Sequence, residues 1–434
     1  MPEIWSSREI RLPSSSRDSL RPAAHPLERL PGEMSRNTVL ALSTIVLLLT
    51  SVASVSFSLF LPPIEAEFHW SRVLATLPYT VAMIAWGVGS PVFGKVADDF
   101  GARRVILGGI LIMAAGFFGM GLSQNLWQLL LTFGLLVGAT IGACGLTIMT
   151  LLISKHFDTA LRGRAVSVVQ AATPLNPLLF APVLFFLITT FSWRVAAMAT
   201  GAMLLLVAFP LAWFGARDPD TARLALRSRV TWSACLPYLR NRSIIYLFLA
   251  RFSCGVAFFQ IAHLVVLAYS KGFEPITAAI GVSVFGGSSA LLSLLAGWMS
   301  DRYGRGRVLG LTYFVRGIGT LAMALPIPNE WVFYLLVIVA VGPTFGTVTV
   351  NNVMFFEAVG PRLAGVILGL SFIVHQIGSA GGPLLGSIAF DMTGTYDGFM
   401  VALGAILLAS GAITYNIDGR DLAAVQAAPS RAGI

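Results

Sequence analysis

The chain is dominated by apolar stretches of eighteen residues or more, which recur between residues 38 and 416. Each stretch is long enough to cross the hydrocarbon core of a bilayer as an α-helix. In lipid only helices and closed barrels satisfy their backbone hydrogen bonds, and continuous apolar runs indicate helices. Charged residues make up 11% of the chain, against roughly 25% in a soluble domain. The sequence therefore predicts an all-α membrane protein.

Hydropathy and helix breakers predict twelve transmembrane helices, with both termini on the same side. Of the 29 Lys and Arg residues, only Arg72, Arg194 and Lys271 then fall on the outer side, and Arg251 and Arg316 fall within helices. By the positive-inside rule we expect both termini in the cytosol, in a bacterial-type inner membrane. The same asymmetry explains the net charge of +9 without nucleic-acid binding. The predicted helices cover residues 38–60, 74–94, 104–122, 127–152, 164–188, 194–215, 244–270, 277–299, 308–325, 331–355, 363–389 and 396–416.

The spans fall into two groups of six, separated by an arginine-rich stretch at residues 216–243. This stretch predicts a cytosolic linker between an N-terminal bundle, 38–215, and a C-terminal bundle, 244–416. Residues 1–37, rich in Ser, Pro and Arg, predict a disordered cytosolic tail. Residues 417–434 predict a second cytosolic tail.

A short motif occurs once in each half, directly after the second and the eighth predicted helix. The two copies match at an offset of 203 residues, and a duplicated motif at equivalent places is typical of transporters built from repeats. The repeat predicts two pseudo-symmetric six-helix bundles. The matching positions are Gly94, Asp98, Gly101 and Arg104 in the first copy and Gly297, Asp301, Gly304 and Arg307 in the second, and Arg103 stands beside Arg104 in the first loop.

These two motifs resemble the signature loop of the major facilitator superfamily, and the resemblance extends over residues 38–416. The Trp-Ser-Arg sequence at 70–72 and the segments 192–194 and 375–383 resemble the bacterial monocarboxylate and oxalate/formate transporters. The resemblance implies alternating access around a cavity lined by the first, fourth, seventh and tenth helices. Monocarboxylate transporters usually carry Asp and Arg inside the eighth helix, and residues 277–299 contain neither. The substrate is therefore not transferred from the resemblance.

Two arginines, and no Asp or Glu, fall in the middle of predicted helices. An ionisable residue inside a membrane is costly unless it is paired or faces water, which makes it a functional candidate. Arg251 shares one face of the seventh helix with Gly255, Phe258 and Ala262, and its guanidinium matches the geometry of a carboxylate. We expect an anionic substrate at this face. Alternatively, Arg251 extends to the cytosolic interface, and Arg316, in the peripheral ninth helix, pairs with backbone carbonyls.

Polar side chains recur at helical spacing on the other predicted cavity helices. Each hydroxyl alone more often forms a hydrogen bond within a helix or between helices, but their occurrence on every cavity helix predicts substrate contacts. The candidates for substrate binding are Arg251, Phe258, Ser54, Thr140, Thr147, Thr347 and Asn351.

His375 and His263 are the histidines that fall within predicted helices. Histidine titrates near neutral pH, so each is a candidate for carrying a coupling proton, with Gln376 as a neighbour of the first. Alternatively, each is a neutral histidine satisfied by a backbone carbonyl, and the carboxylate of the substrate carries the proton.

The duplicated loops predict a latch. By the family resemblance, Asp98 holds the start of the eleventh helix near Arg362, where an acid gains from the helix dipole. By pseudo-symmetry, Asp301 faces the start of the fifth helix near Arg162. Such pairs would close the cytosolic side and separate when the halves rock. Simple loop packing is the alternative.

The predicted function is secondary transport of a small, monocarboxylate-like organic anion, by proton symport or anion exchange. An exporter of drugs or hydrophobic compounds is an alternative, although residues 173–177 lack the Gly-Pro motif typical of the fifth helix of drug antiporters. A transport-like sensor or receptor is the alternative from another class. Since no Walker loop, catalytic triad or clustered metal ligands occur, we expect no enzymatic activity, cofactor or metal. We expect a monomer whose partners are the anion, protons and the bilayer.

Overall fold

The computed structural model describes residues 35–154, 156–157, 159–216 and 236–427. Every regular element in these ranges is a helix. Nearly all of the predicted N-terminal tail, most of the predicted linker and the last residues of the predicted C-terminal tail lie outside the described residues. The prediction of an all-α membrane protein is confirmed.

Eleven helices are long and apolar enough to cross a membrane. One more helix, α9, has 19 residues, and its arginines lower its hydropathy. A short helix, Leu236–Leu239, precedes α7, which continues beyond a break as Leu264–Ser270. The helices are α1 (Arg36–Phe68), α2 (Arg72–Phe100), α3 (Ala102–Leu122), α4 (Leu126–Ile153), α5 (Arg164–Thr190), α6 (Trp193–Gly215), α7 (Arg242–Ala262), α8 (Pro275–Tyr303), α9 (Arg305–Met323), α10 (Glu330–Gly360), α11 (Leu363–Thr393), α12 (Asp397–Tyr415) and α13 (Gly419–Ala427).

The backbone repeats in the two halves, α1–α6 and α7–α12. Gly101 and Gly304 connect α2 to α3 and α8 to α9 with φ of 93° and 95°, a region that favours glycine. The first helix of each half is interrupted, at Ser56 with φ −110° and at His263 with φ −112°. We call the end of the bundle that carries Gly101 and Gly304 the loop end, and the other the opposite end.

Helices α4 and α10 also begin alike. The side chains of Asn125 and Asn329 cap their first turns by accepting the backbone N–H three residues further on, which satisfies an otherwise free donor. Each helix then contains a π-helical turn, Leu130–Val137 in α4 and Val337–Val341 in α10. The predicted repeat is therefore visible in helix caps and irregularities as well as in the loops.

The two halves contact each other along α2 and α11, from the opposite end to the middle of the bundle. Asp391 in α11 accepts the backbone N–H groups of Arg72 and Val73 at the start of α2, both at 3.0 Å. Further along, Gln376 Nε2 donates to the carbonyl of Met83 at 3.3 Å. These bonds tie the halves together along residues 72–83 of α2 and 376–391 of α11.

Toward the loop end the halves diverge. A Cβ atom added at Gly94 in α2 or at Gly365 in α11 would meet no described atom within 4 Å. The pairing of α5 with α8 shows the same change, because Gly286 packs directly against the backbone of Leu178 while Gly297 faces open space. Within the described residues the halves are thus joined at the opposite end and separated at the loop end.

Candidate functional site

Arg251 lies on α7 between the face of the helix that packs against α9 and the face that packs against α11. On one side the carbonyl of Ala250 accepts a hydrogen bond from Tyr313 of α9 at 2.6 Å. On the other side Gly255 packs so closely against the backbone of α11 at His375 that a Cβ atom would overlap it. At about 100° per residue, the side chain of Arg251 leaves α7 between these contacts, toward the centre of the second half.

The guanidinium of Arg251 is buried, and two of its nitrogens have no partner in the described part of the chain. The residue is 4% exposed, and its Nε and Nη1 have no hydrogen-bond partner among the described residues. The ionisable groups beside it are Cys254 and Tyr313, and neither is a carboxylate. A buried cation costs several kcal/mol unless an opposite charge compensates it. Arg251 therefore offers unused donors to an anion, and it does not extend to the surface as the alternative interpretation required.

Arg316 is a second buried guanidinium, and it reaches the same place from α9. Its Nε donates to the carbonyl of Ala340 at 3.2 Å, and its Nη1 donates to Thr347 Oγ1 at 3.2 Å. The same Nη1 lies 3.8 Å from Cys254 Sγ, and Nη2 has no partner among the described residues. The π-helical turn of α10 contains Ala340, and such turns interrupt the regular hydrogen-bond ladder. A helix expected to be peripheral thus contributes to the centre.

Further polar side chains of α10 and α11 complete this site. Asn351 donates Nδ2 to the carbonyl of Leu247 at 3.2 Å, but its buried Oδ1 has no partner among the described residues. His375 Nδ1 lies 3.0 Å from Oε1 of Gln376, while its buried Nε2 has none. The ring of Phe258 packs edge-on against His375 at 4.8 Å. We call the following residues the arginine cluster: Arg251, Cys254, Arg316, Thr347, Asn351 and His375.

No hydrogen bond among the described residues joins the hydroxyl groups predicted in the first half to the arginine cluster. Ser54 Oγ donates to Ser51 O at 3.1 Å, and Thr140 Oγ1 donates to Leu136 O at 2.7 Å, so both are satisfied within their own helix. Thr147 is exposed. The structure therefore brings together Arg251, Phe258, Thr347 and Asn351 from the predicted set.

His263 belongs to the opposite end and not to the arginine cluster. It is fully buried, and its Nε2 lies 3.1 Å from Thr76 Oγ1 of α2 and 2.9 Å from Ser387 Oγ of α11. Close by, Arg72 forms an ion pair with Glu65 at 2.9 Å and donates to Tyr396 at 2.8 Å. This histidine therefore lies at a junction of the two halves.

The predicted latch residues lie at the loop end. The side chains of Arg162 and Arg362 lie outside the described residues, and Asp98 is exposed. Asp301 lies 3.5 Å from Arg305, which also pairs with Glu357 at 2.9 Å.

The remaining loop positions keep within their own halves. Arg103 donates to the carbonyl of Trp213 in α6 at 3.0 Å, and Arg104 and Arg307 are exposed. The described contacts of both loops thus join helices of the same half, in keeping with the separation of the halves at this end.

Cys254 and Tyr313 are residues at the site that sequence reasoning missed. Cys254 stands three residues after Arg251 and shares its side of the helix, which is a usable signal. Tyr313 had none, because its contact depends on how α9 packs against α7.

Comparison with known proteins gives a family match over most of the chain. The model of the Major Facilitator Superfamily matches residues 43–383 and 261–419. The uncharacterized MFS-type transporter YcxA of Bacillus subtilis (strain 168) is 27% identical over 352 residues, which cover 79% of this chain and 85% of the relative. Monocarboxylate transporter 13 of Rattus norvegicus is 26% identical over 367 residues, which cover 82% of this chain and 83% of the relative.

A solved structure agrees in fold. The crystal structure of a D-xylose-proton symporter superimposes with a TM-score of 0.74 at 14% sequence identity, covering 89% of this chain and 99% of that one. At this identity the likeness concerns the fold alone. The predicted superfamily fold, with its resemblance to the monocarboxylate branch, is confirmed.

Proposed function

We propose that this chain, which belongs to the Major Facilitator Superfamily, carries a small organic anion across the membrane by alternating access. The observation that carries the proposal is the buried guanidinium of Arg251, whose Nε and Nη1 lack a partner among the described residues. Two oxygens of a carboxylate match the donor geometry of a guanidinium. A cationic or neutral substrate would leave the charge uncompensated.

The rest of the arginine cluster favours the same class of substrate. Arg316 adds a second positive charge and a free Nη2, and no ion pair with a carboxylate offsets either arginine among the described residues. Asn351 Oδ1 can accept a hydrogen bond from a hydroxyl group of the substrate. The similarity to monocarboxylate transporter 13 supports a monocarboxylate-like anion. Because α8 lacks the Asp and Arg that monocarboxylate transporters usually carry inside this helix, the anion is held by α7, α9 and α10 instead.

We place the loop end in the cytosol, with both termini on that side, in a bacterial-type inner membrane. The distribution of Lys and Arg supports this orientation. Because the halves are joined at the opposite end and separated at the loop end, the structure then represents a state open to the cytosol. In the alternate state Asp98 would approach the start of α11 near Arg362, and Asp301 would approach the start of α5 near Arg162, which would form the predicted latch.

Coupling is proposed to proceed by proton symport or by exchange for another anion. His375 supports the first possibility, since its Nε2 is buried without a described partner inside the arginine cluster. Gln376 orients the ring through Nδ1. His263 is the second candidate, at the junction of the halves.

Uptake into proteoliposomes tests the proposal. Wild type should take up at least one of the radiolabelled carboxylates formate, acetate, pyruvate and benzoate in a saturable manner, and should not take up choline or glucose. Arg251→Ala should raise the KM for that carboxylate about 30-fold or more, since losing one partner of a buried charge pair costs about 2–5 kcal/mol. Arg251→Lys should recover only part of this loss, because an ammonium lacks the planar fork.

Arg240→Gln is the matched control, because Arg240 is an exposed arginine just before α7. This variant should keep the wild-type KM. Saturable uptake of glucose or choline alone would refute the anion assignment. The protein would then be a carrier of another substrate.

A further inference from the structure

The arginine cluster contains one ionisable group for which anion binding gives no role, the thiol of Cys254. It is 1% exposed. Its Sγ lies 3.8 Å from Arg316 Nη1 and 3.4 Å from Thr347 Oγ1, and the side chains of Arg251 and His375 interact with it electrostatically. The thiol therefore lies between two guanidinium groups and an imidazole ring.

Every helix packed around this thiol presents a neutral or basic group to it. Helix α9 contributes Arg316 and Tyr313, α10 contributes Thr347, α11 contributes His375, and α7 itself contributes Arg251. Tyr313 keeps its proton, because its hydroxyl donates to the carbonyl of Ala250. Among the described residues the sulfur is thus the one group around these arginines that can itself become an anion.

We propose that Cys254 is the proton-binding residue that couples anion transport to H⁺. This inference rests on the proposed function of Arg251. In the empty carrier the sulfur is a thiolate that compensates the charge of Arg316. When the substrate anion binds at Arg251, a proton from the same aqueous side binds to the sulfur and forms a neutral thiol. On the other side of the membrane the anion and the proton leave, and the thiolate forms again.

The charges balance over this cycle. With two guanidinium groups and a thiolate, the empty cluster carries one net positive charge. With two guanidinium groups, a bound monoanion and a neutral thiol, the loaded cluster carries the same charge. The thiolate and the bound anion would share the same two guanidinium groups and repel each other, so binding of the anion raises the affinity of the sulfur for a proton. Anion and proton therefore bind together, and transport is electroneutral.

His375 positions the proton. Gln376 donates its Nε2 to the carbonyl of Met83, which turns its Oε1 toward Nδ1 of His375. Because Oε1 can only accept, Nδ1 of the neutral ring carries the hydrogen, and Nε2 keeps a lone pair. The ring can thus receive a proton at Nε2 and pass it to the sulfur, while Cys254 holds it.

Two transport assays on the same variants separate coupling from binding. Counterflow, without a pH gradient, measures anion exchange alone, and accumulation driven by an inside-alkaline gradient measures coupling. The probe is radiolabelled pyruvate, or the carboxylate of the panel above that wild type transports fastest. Cys254→Ser should lower counterflow much less than it lowers gradient-driven accumulation, because a hydroxyl replaces the thiol at similar size but does not ionise. Its gradient-driven accumulation should fall to an inside-to-outside ratio near one.

Cys144→Ser is the matched control, since Cys144 is a buried cysteine in α4 whose Sγ contacts a backbone carbonyl. This variant should accumulate the anion like wild type. If Cys254→Ser accumulates the anion as strongly as wild type does, the inference is wrong while anion transport stands. If wild type shows no carboxylate counterflow, the proposed function itself fails.

Infrared difference spectroscopy decides the case in which Cys254→Ser loses both activities. The S–H stretching band of Cys254, assigned by its absence in Cys254→Ser, should be missing in empty wild-type protein at the pH of transport. Saturating carboxylate should produce the band. A band of equal strength without and with the carboxylate overturns the inference. In His375→Gln the carboxylate should still produce the S–H band, because Cys254 remains as the proton acceptor. Gradient-driven uptake by this variant should be slowed more than counterflow, because the variant lacks the imidazole that passes the proton to the sulfur.

Discussion

The two halves share a backbone plan but use their interior amides differently. In the first half, Asn176 donates to Leu48 O at 2.7 Å, and its Oδ1 accepts from Ser56 Oγ at 3.4 Å. In the second half, Asn351 donates to Leu247 O, but its Oδ1 remains without a described partner. One amide is fully satisfied by the protein, while the other keeps an acceptor free for a ligand.

The same difference holds for charge. The residue in α3 that corresponds to Arg316 by the 203-residue offset is Met113, which is buried. The first half therefore has an apolar side chain where the second half has a guanidinium. The two halves share helix caps, loops and helix breaks, whereas the buried guanidinium groups of Arg251 and Arg316 lie in the second half. Under the proposed function, the second half binds the anion and the first half supplies the surface against which it moves.

The largest effect should come from making the second half like the first. Arg316→Met should lower carboxylate transport at least about 100-fold, since breaking a buried charged network costs about 3–5 kcal/mol. Uptake in proteoliposomes measures the loss, and gel filtration in detergent shows whether the variant remains folded. Met113→Leu, a swap of similar volume, should stay within about twofold of wild type. If Arg316→Met takes up the carboxylate like wild type, the guanidinium that distinguishes the second half from the first is not needed for transport.

The two asparagines provide a matched pair with a smaller effect. Asn351→Ala should raise the KM for a hydroxy acid such as lactate about tenfold, because the lost Oδ1 can no longer accept a hydrogen bond from the hydroxyl group of the substrate, worth about 1.5 kcal/mol. Asn176→Ala should leave the KM unchanged and lower thermal stability in detergent, since it frees a buried carbonyl. An equal rise of KM in both variants would mean that the two halves share the substrate.

Packing should not distinguish the halves. Gly382 in α11 fits against the backbone of Val256, and Gly142 in α4 fits against Ser90, where an added Cβ atom would lie 2.7 Å from the backbone nitrogen. Alanine at either position should destabilise the protein by about 1–3 kcal/mol through overpacking. Thermal unfolding in detergent measures this, with Gly365→Ala, which has space, as control. A stability loss confined to one half would show that the scaffold too has diverged.

The smallest effect should arise where the halves meet. Asp391→Asn weakens the cap of α2, which costs about 1 kcal/mol and should open the opposite end more often. A cysteine at Thr80, beside Ala380 of α11, should then react about fivefold faster with an impermeant thiol reagent. Asp397→Asn should leave this rate unchanged, because Asp397 pairs with Lys271 inside the second half. No acceleration in Asp391→Asn would mean that this cap does not hold the halves together.

Sequence reasoning could predict what depends on local pattern. Membrane helices follow from apolar length, and the Gly101 and Gly304 turns follow from a repeated motif. The functional candidate Arg251 followed from the cost of a charge in lipid. Each of these depends on residues close together in the chain.

The arginine cluster itself could not be predicted, because it depends on how distant helices approach. Arg316 was assigned to a peripheral helix, yet its long side chain spans the gap to Cys254 and Thr347. The hydroxyls of Ser54 and Thr140 had the right spacing but bond within their own helices. Helical spacing shows which side chains share a face, and not which face meets a neighbour.

The π-helical turn Val337–Val341 gives α10 one residue more than a regular helix would need there. Removing that residue would rotate the following part of the helix by about 100°. Thr347 and Asn351 would then swing away from the two guanidiniums, while the cap at Asn329 stayed in place. A single-residue insertion or deletion can therefore exchange the set of α10 side chains that reaches the arginine cluster without altering the rest of the bundle.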